Sequence, residues 1–233
     1  MNKFIFDVDG TLTPSRGRMD YEFRAFFNTF CLVNDVYLVT GSDKPKTVEQ
    51  IGETYNLCKR VYNCSGNDVW EKDNNIRRNE WKLSDLANTF LAQCLTESAF
   101  PKRTGLHFEH RSGMCNFSIV GRNANTKERA EYVAWDKKYN ERDVIAHNFN
   151  IMFPELEARP GGETGIDIAP KGADKSQILI DFNHEDTIYF FGDRMDEGGN
   201  DYPLKKALWD GYYNQKCIAV KNWQDTWEQL KCV

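Results

Sequence analysis

The chain has 233 residues, 40% of them hydrophobic and 13% aromatic, enough to bury one sizeable core or a core with a smaller inserted domain. Its 30 basic and 35 acidic residues give a net charge of -5 with no polybasic run, so neither a nucleic-acid backbone nor a membrane surface is the expected partner. No segment approaches the roughly 20 apolar residues of a membrane span, and Met1 to Leu12 is interrupted by Asp7 and Asp9 where a signal peptide needs its apolar centre, so a cytoplasmic protein is expected.

In chain order, the apolar run Lys3–Phe6 ends at Asp7 and reads as a buried parallel strand. Asp20 to Leu32 carries Tyr21, Phe23, Phe26, Phe27 and Phe30 at largely helical spacing, and Val36–Val39 before Thr40 is a second strand, so a βαβ unit opens the chain. A helix is predicted after Asp43, from Lys46 to Leu57. Beyond a helix over Leu83 to Glu97, alternating patterns at Leu106–Arg111, Cys115–Val120 and Ile166–Ala169 predict antiparallel strands. Asn125 with Glu128 three residues on caps a helix running to Tyr139. Ile188–Phe191 then returns to a buried strand ending in Gly192-Asp193.

The fold expected is therefore α/β, with a core made of residues 1–79 and 173–233 and an inserted α+β cap over 80–172. Ligands bind beyond the carboxyl ends of strands in such sheets, which makes Asp7, Thr40 and Asp193 candidates to meet at one site. Cys31, Cys58, Cys64, Cys94, Cys115, Cys217 and Cys232 are scattered without a CxxC pair and read as reduced thiols. His107, His110 and Cys115 read as polar residues of a strand or turn rather than as metal ligands.

Asp7-Val8-Asp9-Gly10-Thr11-Leu12-Thr13 directly after a short apolar strand resembles motif I of the haloacid dehalogenase (HAD) superfamily, which implies a Rossmannoid parallel-sheet core. A carboxylate attacks phosphorus without prior deprotonation and yields an aspartyl phosphate, the role expected of Asp7. Asp9, two residues on, is the expected general acid/base. Two carboxylates and a phosphate need a cation, and oxygen ligands suit Mg2+. The resemblance implies a metal held by Asp7, the backbone carbonyl of Asp9 and Asp193, with Asp201 as a further acid that can act through water. Thr40-Gly41-Ser42-Asp43 resembles the motif whose hydroxyl and N–H groups, here at Thr40 and Ser42, bind the transferring phosphoryl group. Lys175 resembles the motif III lysine that neutralises the aspartyl phosphate.

The likeness goes further. Arg111-Ser112-Gly113-Met114-Cys115-Asn116-Phe117-Ser118-Ile119-Val120-Gly121-Arg122, then Glu128-Arg129, is similar to the cap signature of eukaryotic-type phosphomannomutases, as is Phe190-Phe191-Gly192-Asp193 with Gly198-Gly199-Asn200-Asp201. The resemblance implies that Arg111, Arg122 and Arg129, with Arg16 in the core, hold the substrate and its distal phosphate, and that Asp167 binds sugar hydroxyls. Gly165 stands where that family has a phosphate-binding serine, beside Thr164. The implied activity is interconversion of mannose 6-phosphate and mannose 1-phosphate, with a hexose 1,6-bisphosphate as activator, feeding GDP-mannose synthesis. A sugar-phosphate phosphatase of the same superfamily is the alternative, for which Gly165 and Thr40 are the arguments. A homodimer formed through the cap is also implied, with His107 where the family has an interface aromatic.

Overall fold

A computed structural model describes residues 1–232, so Val233, the last residue of the expected core, lies outside the described residues. Two compact units comprise Met1–Asn79 with the described residues from Gly172 onward, and Glu80–Lys171.

The first unit begins β1 (Asn2–Phe6), α1 (Tyr21–Val33), β2 (Asp35–Val39), α2 (Lys44–Ile51), α3 (Thr54–Leu57), β3 (Arg60–Asn63), β4 (Asp68–Glu71) and β5 (Asn74–Arg78). The second unit follows with α4 (Asp85–Glu97), β6 (Phe108–Arg111), β7 (Met114–Phe117), α5 (Thr126–Tyr139), α6 (Glu141–Met152), β8 (Leu156–Gly161) and β9 (Gly165–Pro170). The chain returns to the first unit through a 3-10 segment at Lys175–Asp181, then β10 (Thr187–Gly192), α7 (Tyr202–Asp210), β11 (Asn214–Ala219) and α8 (Trp223–Leu230).

A seven-stranded sheet of order β11-β10-β1-β2-β3-β4-β5 forms the first unit. It is parallel from β11 to β3 and antiparallel in β3-β4-β5. The unbroken apolar run in β1 follows from burial on both faces. Phe4 and Phe6 pack with Phe23, Phe27 and Cys31 of α1 and Leu230 of α8, whereas Ile5 packs with Ile188, Phe190 and Leu204 on the other side. From β1 the chain moves to β2 on one side, and from β10 it moves to β11 on the other, so the strand order reverses between β1 and β10. The crevice at the carboxyl ends of those two strands is the binding position such sheets offer.

Asp20 caps α1, accepting from the N–H groups of Glu22 and Phe23. The helix expected from Lys46 to Leu57 is in fact two. The α2 helix starts at Lys44 behind Asp43, whose carboxylate accepts from Lys46 N, and it stops at Gly52, where φ of 60° turns the chain before α3. Among the described residues no helix is long and apolar enough to cross a membrane, and the cysteines there are all free.

The second unit is an antiparallel sheet, β6-β7-β9-β8. One face buries Cys115, Phe117, Ala158, Ile166 and Ile168 against Leu91, Tyr132 and Phe149 of the three helices. The other face is polar. Glu109, Asn116, Asp167 and Arg159 are successive partners across the four strands and so share that face. A reciprocal cap between Asn125 and Glu128 starts α5. The expected strands at 106–111 and 115–120 are Phe108–Arg111 and Met114–Phe117 in the structure; just beyond them Ser118 N still donates to His107 O at 2.9 Å, while its hydroxyl donates to the Thr164 carbonyl at 2.9 Å.

Candidate active site

In the first unit Asp7 directly follows β1, and its N–H donates to Phe191 O at 2.9 Å, continuing the β1-β10 ladder by one residue. Asp7 is buried, the residue being 2% exposed. Lys175, also buried, donates from Nζ to Asp7 Oδ1 at 2.5 Å and to Asp201 Oδ1 at 2.7 Å. Asp201 in turn accepts from Arg194 N at 3.0 Å through Oδ2, and Thr11 Oγ1 approaches Asp7 Oδ2 at 3.4 Å. Oxygen atoms of Asp7, Asp193 and Asp201 lie within 4.8 Å of one another.

Glycines make room for these carboxylates. A Cβ at Gly192 would sit 2.6 Å from Asp201 Oδ2, and one at Gly10, where φ is 82°, would run into the Asp193 carboxylate. Burial pushes the Asp7 carboxyl up to about 8, reinforced by the charges of Asp201 and Asp193 and opposed by Lys175. Desolvation, then the Asp201 charge, raises Asp193 as well. For Lys175 desolvation works to lower the pKa, but the charges of Asp201 and Asp7 outweigh it and hold the ammonium form. With its carboxylates ionised the cluster carries three negative charges against one positive. An all-oxygen donor set with that excess of negative charge fits a hard divalent cation such as Mg2+.

Asp9 stands apart from this cluster through its side chain. Its Oδ1 accepts from Arg16 N at 2.6 Å and Gln50 Nε2 at 2.9 Å, and its Oδ2 meets Ser42 Oγ at 3.4 Å. Of the four acids expected at the metal, Asp7, Asp193 and Asp201 thus bring their carboxylates together and the Asp9 carboxylate does not join them. A share in the metal for Asp9 is left to its backbone carbonyl. Thr40 is buried at the end of β2, bonded from its N–H to Tyr62 O at 2.9 Å, and its Oγ1 accepts from Ser42 N at 3.1 Å. Arg16 has an exposed side chain and a φ of 57°, a conformation uncommon outside glycine, and this turn points its N–H at Asp9.

In the second unit the polar face of the sheet collects the remaining candidates. Asn116 Nδ2 donates to Asp167 Oδ1 at 2.6 Å, and Arg122 Nη1 reaches Asn116 Oδ1 at 3.4 Å. Arg111 donates from Nε and Nη2 to Glu109 Oε1 at 3.0 and 2.9 Å, while Arg122 Nε pairs with Glu109 Oε2. Arg129, at the start of α5, pairs with Glu163 at 3.3 Å. Gly165 is buried against Asn116, whose Nδ2 would lie 2.5 Å from an added Cβ.

The profile described as eukaryotic phosphomannomutase matches residues 23–233. The chain belongs to the eukaryotic phosphomannomutase family. The phosphomannomutases of Arabidopsis thaliana and Saccharomyces cerevisiae are 34% and 35% identical to it, the alignments covering 87% and 86% of this chain and 86% and 83% of those proteins. Human phosphomannomutase 1 is 32% identical over 86% of this chain and 81% of its own length. Among solved structures, a haloacid dehalogenase-like hydrolase from Bacteroides thetaiotaomicron superposes with a TM-score of 0.62 at 12% identity, covering 99% of this chain and 98% of that one. The C-terminal domain of Candida albicans trehalose-6-phosphate phosphatase gives 0.63 at 15% identity, covering 95% and 80%. These two share the fold.

Four residues of this phosphomannomutase-family chain were missed as site residues by sequence reasoning. Gln50 and Asn116 are buried polar residues, one on the inner side of α2 and the other inside the apolar run of β7, and a polar residue at a core position was the available signal. Glu109 is two residues before Arg111 on the same strand face, and period-2 alternation could have paired them. Thr226 of α8 donates to Thr11 O at 2.7 Å, pinning the motif I loop from 215 positions away. Nothing local marks it.

Proposed function

We propose that this chain is a magnesium-dependent phosphomannomutase of the cytoplasm, interconverting mannose 6-phosphate and mannose 1-phosphate with a hexose 1,6-bisphosphate as activator and supplying GDP-mannose synthesis. The family membership supports the reaction, and the arrangement around Asp7 supports its chemistry. The observation that carries the mutase reading is the polar face of the second unit, where Arg111, Arg122, Asn116 and Asp167 are gathered. Releasing phosphate from an aspartyl enzyme needs one anion site. Returning it to the other end of the same sugar needs a second, and arginine forks match phosphate geometry in a way lysine does not.

In this mechanism an Asp7 carboxylate oxygen attacks a phosphorus of the bisphosphate. The bond from phosphorus to the sugar oxygen breaks, and that oxygen takes a proton from Asp9. The phosphate left on the sugar is bound by the cap arginines. A hexose monophosphate bound with its free hydroxyl toward Asp7 then gives that proton to Asp9 as the oxygen attacks the aspartyl phosphate, restoring the Asp7 carboxylate and forming a bisphosphate. This bisphosphate turns end for end, so that Asp7 takes its other phosphate and the isomerised monophosphate is released. Gln50, Ser42 and the Arg16 N–H orient Asp9 for both proton transfers. Lys175 neutralises charge on the Asp7 side throughout. Asp7, Asp193, Asp201 and the Asp9 carbonyl would hold Mg2+, which would supply charge stabilisation for the transferring phosphoryl group. A homodimer formed through the cap completes the proposal.

The deciding assay incubates the protein with Mg2+ and mannose 1-phosphate, with and without glucose 1,6-bisphosphate, and follows mannose 6-phosphate and inorganic phosphate together. Bisphosphate-dependent isomerisation with little phosphate release is the expected result. Steady phosphate release without isomerisation would make the protein a sugar-phosphate phosphatase instead.

A further inference from the structure

We infer that Glu109 is a positioning residue of the second anion site, holding the guanidinium planes of Arg111 and Arg122 in the orientation that receives phosphate. This rests on the reading of those two arginines as phosphate ligands. Glu109 accepts from Arg111 through Oε1 and pairs with Arg122 through Oε2, so one carboxylate spans both guanidinium groups. Its own place is set by the ladder, since it faces Asn116 across β6-β7, and Asn116 is tied both to Asp167 and to Arg122. Glu109, Arg111 and Arg122 are each less than a third exposed, at 30, 19 and 23% of the side chain.

Two guanidinium groups drawn together in partly desolvated surroundings repel, and without a shared anion they would separate or fold against other acceptors. A carboxylate hydrogen-bonded to Arg111 and ion-paired with the Nε side of Arg122 removes that repulsion at a fixed point of the sheet. Each guanidinium has five N–H donors in one plane, so holding one part of the plane aims the rest. The arginines are then ordered before the ligand arrives, and the entropy of ordering two long side chains is not charged to binding. If Glu109 instead competed with phosphate for the arginines, its removal would tighten anion binding. The two readings have opposite signs.

The test is calorimetric titration of inorganic phosphate into the whole protein without divalent cation, a condition in which the three carboxylates around Asp7 repel the anion. Wild type, Glu109→Gln and Glu109→Ala are compared. Glu109→Ala is expected to weaken phosphate binding about tenfold, the loss of roughly one charge-assisted hydrogen-bond set. The isosteric Glu109→Gln, which keeps one acceptor oxygen, falls between, and its thermal midpoint shows that the fold is intact. Unchanged or tighter binding in Glu109→Gln, or no phosphate binding by the wild type, would overturn the inference. The isomerisation assay is read separately. Isomerisation with Glu109-independent phosphate binding defeats this inference alone, and Glu109-dependent binding without isomerisation defeats the mutase reading alone.

Discussion

Lys175 donates to Asp7 at 2.5 Å although 168 positions separate the two residues in the chain, and both are buried. The ammonium bridges Asp7 and Asp201, so it is the internal cation of a cluster that carries three carboxylates. Removing one member of a buried charge group costs more than the group contributes as a whole, because the remaining charges are left without a partner.

Lys175→Met keeps the side-chain volume and deletes the charge. It is expected to lower the unfolding free energy by about 3–5 kcal/mol in the absence of divalent cation. Turnover should drop by a factor on the order of a hundred or more, since a fixed charge beside the transferring group is lost. Urea denaturation followed with and without Mg2+ checks the first, and the cation should recover part of the loss. A variant as stable as wild type in chelator would show that Lys175 is dispensable to the cluster.

Mg2+ binding should depend on pH in a definite direction. Burial raises the Asp7 carboxyl to about 8, so at lower pH the metal must displace a proton to gain that ligand. Apparent Mg2+ affinity is expected to rise as pH increases from about 6 and to level off above about 8, with proton release on binding near neutrality. Isothermal titrations in buffers of different ionisation enthalpy measure the released proton. The bound cation should also raise the thermal midpoint, by an amount corresponding to about 2.7 kcal/mol at a hundredfold excess over Kd. Asp193→Asn should remove most of that gain. An affinity flat across this range would refute the coupling.

Gly10 has a φ of 82°, and its missing side chain leaves the space taken by the Asp193 carboxylate. Gly10→Ala therefore combines a left-handed backbone, which costs a residue with a Cβ about 1–2 kcal/mol, with displacement of a metal acid. Lower stability together with a higher Mg2+ requirement is expected in a thermal-shift titration. Loss of stability with an unchanged Mg2+ midpoint would mean that Asp193 is not displaced.

Gly165→Ser restores the residue found at this position in the family resemblance, but here the added Cβ would sit 2.5 Å from Asn116 Nδ2. The Asn116 amide would have to leave Asp167, its partner at 2.6 Å. The KM for mannose 1-phosphate should rise about tenfold, the scale of one lost charge-assisted hydrogen bond. A lower KM would show that the serine hydroxyl replaces what the amide gave up.

Local rules made much of this protein readable in advance. Continuous apolar runs at Phe4–Phe6 and Ile188–Phe191 can exist only where a strand is covered on both faces, which points to a parallel sheet and to chemistry at its carboxyl edge. The reciprocal Asn125 and Glu128 cap and the Asp20 cap are short-range hydrogen bonds, set within a few residues. Spacing likewise marked the Asp7 and Asp9 pair. The break at Gly52 was harder, since a helix pattern continues across it and a glycine declares its φ only in three dimensions.

What tertiary structure alone decided is which side chains share a charge. Motif likeness could propose Asp7, Lys175, Asp193 and Asp201 as one group, yet only the packing set the Lys175 ammonium between two carboxylates and turned the Asp9 carboxylate toward Gln50 and the Arg16 N–H. The joining of Arg111 and Arg122 through Glu109, and of Asn116 to Asp167, depends on strand register, where a shift of one residue would turn each side chain to the opposite face. Hydrophobic periodicity is a property of neighbours along the chain. Charge compensation depends on distances through space and on burial, and those exist only after the core has closed.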